Sequence, residues 1–183
     1  MKTLLVALLA LLVAASVGTF AQDKPAPEPT LDQTLNWLKD FLPSATGAKV
    51  TQKADEMTYV ATAGLQVNNG CNVTLTDDEV WAYREGKRSP MSGHYTHQFS
   101  FSEMDSSKVG AAYDAEYDPP LLQVWMWTRG GLHTVVNLKD ANPLSEIRNA
   151  YTQTGIFLDQ ASAERVVKAF RHAAELCGNN QPF

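Results

Sequence analysis

Leu65-Gln66-Val67-Asn68-Asn69-Gly70-Cys71-Asn72-Val73-Thr74-Leu75-Thr76 is the stretch on which the strand count of this chain turns. Apolar and polar residues alternate here with the period of a half-buried strand. Asn69-Gly70 is also the dipeptide of a two-residue hairpin loop. Side-chain parity separates the two readings. A loop at 69–70 pairs Asn68 with Cys71 and Val67 with Asn72, and paired residues share a face. Leu65 and Val67 then lie opposite Cys71, Val73 and Leu75. A continuous strand instead puts all five odd-numbered residues on one face. The expectation is one bent strand over 65–76, with Gly70 permitting the bend.

Outward from this stretch the period-2 pattern continues. Strands are expected at about 57–62, 65–76, 80–84, 94–103, 107–113, 121–128 and 132–138, with an eighth near 152–158 leading into the last helix. Arg129-Gly130-Gly131 predicts a hairpin turn between 121–128 and 132–138. Asp77-Asp78-Glu79 reads as an acidic turn. Helical periodicity frames the strands. Leu31, Leu35, Leu38 and Leu42 fall on one face of a helix over 30–42, widened by Trp37 and Phe41. Thr30 and Gln33 form a capping box, and Pro43 is expected to end the helix. Near the C-terminus, Val166, Phe170, Ala173 and Cys177 make a second stripe over about 162–177, beside Val167 and Ala174. Asp159 or Ser162 caps its start and Gly178 its end. Glu164 with Lys168 and Arg171 with Glu175 are spaced as ion pairs on its solvent side. The predicted class is α+β: an antiparallel β-barrel or strongly bent sheet, like the pleckstrin-homology (PH) fold, with an N-terminal helix and a C-terminal capping helix. A helix on one open antiparallel sheet is the alternative.

The chain has 183 residues, 44% hydrophobic and 19% charged, with a formal net charge of −5. It is too apolar for a disordered protein and has too few cysteines for a disulfide-dense miniprotein. Its acidity argues against nucleic acid as a partner, because phosphate binding needs clustered Lys and Arg. Lys2, the apolar run Leu4–Ala15 and the small residues Ser16, Gly18, Thr19 and Ala21 form a signal peptide over 1–21. Cleavage is expected after Ala21, with Gly18 as runner-up. Residues 22–29 (Q-D-K-P-A-P-E-P) are a Pro-rich linker, and 30–183 a single domain. The expected location is exported, periplasmic or extracellular, with no stable membrane insertion after cleavage.

The ends of the domain carry a resemblance. Leu31-x-x-Thr34-Leu35-x-Trp37-Leu38 opens it, and Arg165-Val166-Val167-x-Ala169-Phe170-x-His172-Ala173-x-x-Leu176-Cys177-Gly178 closes it, with Gly70-Cys71 between. The chain resembles small exported bacterial proteins of uncharacterised function. That resemblance implies no catalytic residue.

Two cysteines in an exported chain allow one intramolecular disulfide, Cys71–Cys177. It would tie the last helix to a buried strand face. No C-x-x-C suggests redox catalysis. His94 and His97 supply two potential metal ligands, with Glu103, Asp105 and His133 as further ones. On a strand, positions 94 and 97 face opposite sides, so surface histidines are the expected reading and no metal is assigned. Asp114-Ala115-Glu116-Tyr117-Asp118 alternates acids like a calcium loop. It places Pro119 and Trp125 where Gly and Glu are required, so a solvated turn is expected. Asn72-Val73-Thr74 matches a glycosylation acceptor by chance. Arg84, Lys87 and Arg88 form a solubilising basic loop, and His172 is expected to be exposed on the last helix. Trp125 and Trp127 share one strand face, with Val124 and Met126 on the other. If the aliphatic pair is core, the tryptophans mark a binding surface. If the tryptophans are core, they are packing, and packing is the favoured reading. No nucleotide, cofactor or hydrolase motif occurs, so no cofactor is assigned. The expected function is a non-catalytic binding or interaction module with a protein or envelope partner. The alternative is a small hydrolase or metal-dependent enzyme using His94, His97 and Glu103.

Overall fold

The computed structural model describes residues 27–83, 89–140 and 142–178. The expected signal peptide, most of the linker and the basic loop Arg84–Arg88 lie outside them. Helix α1 (Leu31–Ala45) precedes ten strands: β1 (Lys49–Gln52), β2 (Met57–Asn69), β3 (Asn72–Ala82), β4 (Met91–Ser100), β5 (Met104–Asp114), β6 (Tyr117–Asp118), β7 (Leu121–Thr128), β8 (Val135–Lys139), β9 (Ile147–Asn149) and β10 (Tyr151–Gln153). Helix α2 (Gln160–Gly178) follows. The class is α+β and every strand pairing is antiparallel. The strands form a seven-stranded sheet, β6-β1-β2-β3-β4-β8-β9, and a three-stranded sheet, β10-β7-β5. No closed barrel occurs among the described residues. No helix among them is long and apolar enough to cross a membrane.

The stretch 65–76 is a hairpin, not one bent strand. Gly70-Cys71 is the loop, with Gly70 at φ 52°, and Asn69 faces Asn72. Asn68 is then an extra residue, and its side-chain amide donates to Thr74 Oγ1 at 2.9 Å. Beyond it Val67 faces Val73 and Leu65 faces Leu75. A single bulged residue resets parity, so both strands turn their apolar residues to one face and the objection to a hairpin lapses. The expected break at Asp77-Asp78-Glu79 is also absent. These residues continue β3, paired on one side with Ala63, Thr62 and Ala61 and on the other with Tyr95, His94 and Gly93. β1 had no counterpart in the predicted set.

Arg129–Gly131 is a 3-10 turn and not a hairpin. It carries the chain from β7 in the small sheet to β8 in the large one. Thr128 secures the crossing by donating its N–H and hydroxyl to the Ala150 carbonyl, where β9 gives way to β10.

Both helices bury the stripes and form the N-terminal caps read from their sequences, but Gly178 is the last residue of α2 and not a cap beyond it, and Glu164 accepts from Gln160. Thr30 Oγ1 accepts from Gln33 N–H while Gln33 Oε1 accepts from Thr30 N–H. Helix α1 runs past Pro43 to Ala45. A proline removes only its own donor there, and the Thr46 N–H and hydroxyl both bond to the Leu42 carbonyl and close the last turn. In α2 the predicted stripe is buried in full, and Asp159 accepts at the N-terminus from Ser162 N–H and Oγ. Leu35, Leu38 and Leu42 of α1, Val166 and Phe170 of α2, Leu75 and Phe99 of the large sheet, and Val124 and Met126 of the small sheet share one core. A second, smaller cluster is formed by Val50 of β1 with Tyr59, Ala61, Leu121 and Ile156.

Candidate functional site

Strand β7 presents Val124 and Met126 to the core, both fully buried. Alternation therefore turns Trp125 and Trp127 to the outer face; Trp127 is exposed there, against the packing reading, while Trp125 stays half-buried with its indole nitrogen buried. Cross-strand pairing sets Trp127 opposite Tyr151, and Trp125 opposite Gln153 on one side and Gly110 on the other. Tyr151 sits between the two indoles, with ring centroids 5.2 Å from Trp125 and 4.9 Å from Trp127. The result is a three-ring strip on the outer face of the small sheet. Trp127 is 41% exposed, and Trp125 and Tyr151 are half-buried.

A cleft of about 720 Å3 runs beside the strip, bordered by Ser107–Ala112 of β5, Trp125, Trp127 and Arg171 of α2. Among the described residues strand β5 is an edge of its sheet, and it changes register between Met104 and Val109. At that irregularity Asp105 accepts from the Ser107 hydroxyl and N–H, and these bonds hold its carboxyl below the usual range. Lys108 lies 3.7 Å from Asp105. Arg171 donates from both Nε and Nη2 to the Val109 carbonyl, at 3.0 and 2.7 Å. It makes this contact in place of the ion pair with Glu175 that helical spacing suggested.

The other predicted residues do not converge. His94 donates from Nδ1 to Asp78 on the outer face of the large sheet, at 2.6 Å. His97 points the opposite way, is buried, and donates from Nδ1 to Asn137 at 2.7 Å; burial lowers its pKa. Glu103 lies on a 3-10 turn, and His133 is exposed and donates to the Arg148 carbonyl. His172 donates from Nε2 to the Pro29 carbonyl. No group of three or more potential ligands that could hold a metal ion occurs among the described residues. Asp114, the end of β5, accepts from Glu116 N–H across a short turn, but Tyr117–Asp118, expected in that turn, form β6 and pair with β1.

Cys71 and Cys177 form a disulfide, with Cα atoms 5.9 Å apart. Cys71 stands in the β2–β3 loop and not on a strand face, so the bridge fastens the last turn of α2 to a hairpin tip.

Asp77, expected in a solvated turn, is 1% exposed. Its Oδ1 has no hydrogen-bond partner among the described residues. Burial, with the charges of Glu79 and Asp78 adding, pushes its carboxyl up to about 8. Its neighbour Glu79 accepts from Tyr59 Oη at 2.8 Å and Trp81 Nε1 at 3.2 Å, and the two rings stack at 3.8 Å. Burial and the Glu79 charge raise the Tyr59 pKa.

Sequence reading missed Tyr151, Gly110, Arg171 and Asp77. Only Gly110 carries a local signal, a glycine inside a strand, which marks a bulge or a close approach. Comparison with protein-family models, with curated proteins and with solved structures returns no match to this chain.

Proposed function

We propose that this chain is an exported, non-catalytic binding module, of the kind of small exported bacterial protein its terminal motifs resemble, and that the outer face of the small sheet is its contact surface. The observation that carries the reading is the Trp125–Tyr151–Trp127 strip. A contiguous strip of aromatic rings on an outer sheet face, with Trp127 exposed and Trp125 and Tyr151 half-buried, is typical of binding surfaces. The rings are available here because Val124 and Met126 take the inward positions of β7. The strip lies on a sheet whose other face is core, so its rings are held in place before any partner arrives, which lowers the ordering cost of binding. The disulfide and the N-terminal apolar segment support export. The PH-like comparison contributes nothing, since the described strands form two sheets.

The test compares the purified exported chain with its Trp127→Ala/Tyr151→Ala variant in co-sedimentation with cell-envelope fractions. Retention by the wild type, lost in a variant of unchanged melting temperature, is expected. Equal retention of both proteins, or none of either, overturns the assignment of this face.

A further inference from the structure

We infer that the cleft beside the aromatic strip is a binding site for a carboxylated pyranose, the repeating unit of an acidic polysaccharide. This inference rests on the reading of the small sheet's outer face as the contact surface, and it names the ligand.

Gly110 is the first argument. It lies in the middle of β5, opposite Trp125, where glycine weakens a strand. Its φ is not positive, and a Cβ built on it meets no atom within 4 Å. Neither the backbone nor the packing of the described residues requires a glycine here. Its effect is to leave the floor of the cleft open next to an indole. Ala112, the next residue outward on the same face, is also small. A floor without side chains beside a Trp wall admits a flat, rigid ring. The axial C–H bonds of a pyranose present an apolar face that packs on indole, while its hydroxyls point outward to water.

Charge is the second argument. The chain is acidic, yet among the described residues the cleft lining holds Lys108 and Arg171 and no carboxylate, Asp105 standing outside it 3.7 Å from Lys108. Among the described residues Arg171 has no acidic partner. Its bonds to the Val109 carbonyl fix the guanidinium at the cleft edge with further N–H groups to spare. A fixed guanidinium is suited to a carboxylate. Lys108, only 3.7 Å from Asp105 on the surface, remains exposed enough to contribute.

The same features argue against other occupants. Organic cations favour aromatic cages, but Arg171, which has no acidic partner among the described residues, borders this one. A peptide adding to the β5 edge needs free backbone acceptors, and Arg171 covers the Val109 carbonyl at that edge. Nucleic acid is disfavoured by the overall charge.

Intrinsic tryptophan fluorescence is titrated with tetragalacturonate, with its full methyl ester, and with anionic phosphatidylglycerol vesicles. A saturable change with the acid is expected, at least tenfold weaker with the ester and weakened by salt. Gly110→Leu, whose Cβ meets no neighbour and which removes a glycine from a strand, is expected to abolish it with the melting temperature not lowered. Arg171→Gln, which keeps a donor for Val109 but removes the charge, is expected to weaken it about tenfold or more. Equal binding of acid and ester, or preference for the vesicles, overturns the inference. So does the absence of any saturable change. If envelope retention still depends on Trp127 and Tyr151 in those cases, the ligand class is wrong and the contact surface stands. If that retention fails too, both fall.

Discussion

Asp77 shows how far one side chain departs from its local context. Three consecutive acids read as a solvated turn, yet β3 lies between β2 and β4 and carries Asp77 into the interior. Its carboxyl titrates near 8, well above its unfolded value of 3.8. A group whose pKa is raised by folding favours the fold while the unfolded chain is also protonated. That contribution is lost progressively as pH rises from about 4 to about 8. Asp77→Asn keeps the shape and removes the titration. The variant is expected to be more stable than wild type at pH 8 by a few kcal/mol at most, with the gap closing towards pH 4. Melting temperatures across pH 4–9 check this, and parallel profiles for the two proteins would refute it. The same limit on local reading applies to Trp125 and Trp127. Alternation established that they share a face, but which face is inward depends on α2 and the large sheet, distant in the chain.

At the level of elements, periodicity was legible wherever an element's own residues carried it. The α2 stripe is buried as spaced, and the α1 capping box forms both of its bonds. The β2–β3 hairpin was missed because parity was counted without a bulge. One unpaired residue, Asn68, reverses the count, and nothing in the alternation of 65–76 signals it. Gly70, at φ 52°, is the one loop residue that needs left-handed backbone. Gly70→Ala is expected to cost about 1 kcal/mol through that backbone alone, since a Cβ there meets no neighbour. Urea unfolding measures it, and an unchanged midpoint would show that the loop relaxes freely.

Across the whole molecule, the chain passes repeatedly between two sheets, and a disulfide spanning 106 residues fastens the end of α2 to the β2–β3 tip. Replacing both cysteines by serine is expected to destabilise the protein by about 2–5 kcal/mol, mostly by freeing the unfolded chain. Denaturant unfolding of the variant, beside wild type with and without reductant, checks this; a loss below about 1 kcal/mol would mean that the core holds α2 unaided. The cysteine pairing, both helices with their buried faces, and the α+β class could be read from residue order, because each rests on neighbours a few positions apart or on there being only two cysteines. Tertiary structure decided the rest: the division of the strands into two sheets, the burial of Asp77, and the cleft where Gly110, Trp125 and Arg171 meet. Strand partners and inward faces are chosen by contacts between distant segments, and a single bulge or sheet crossing changes them without altering local periodicity.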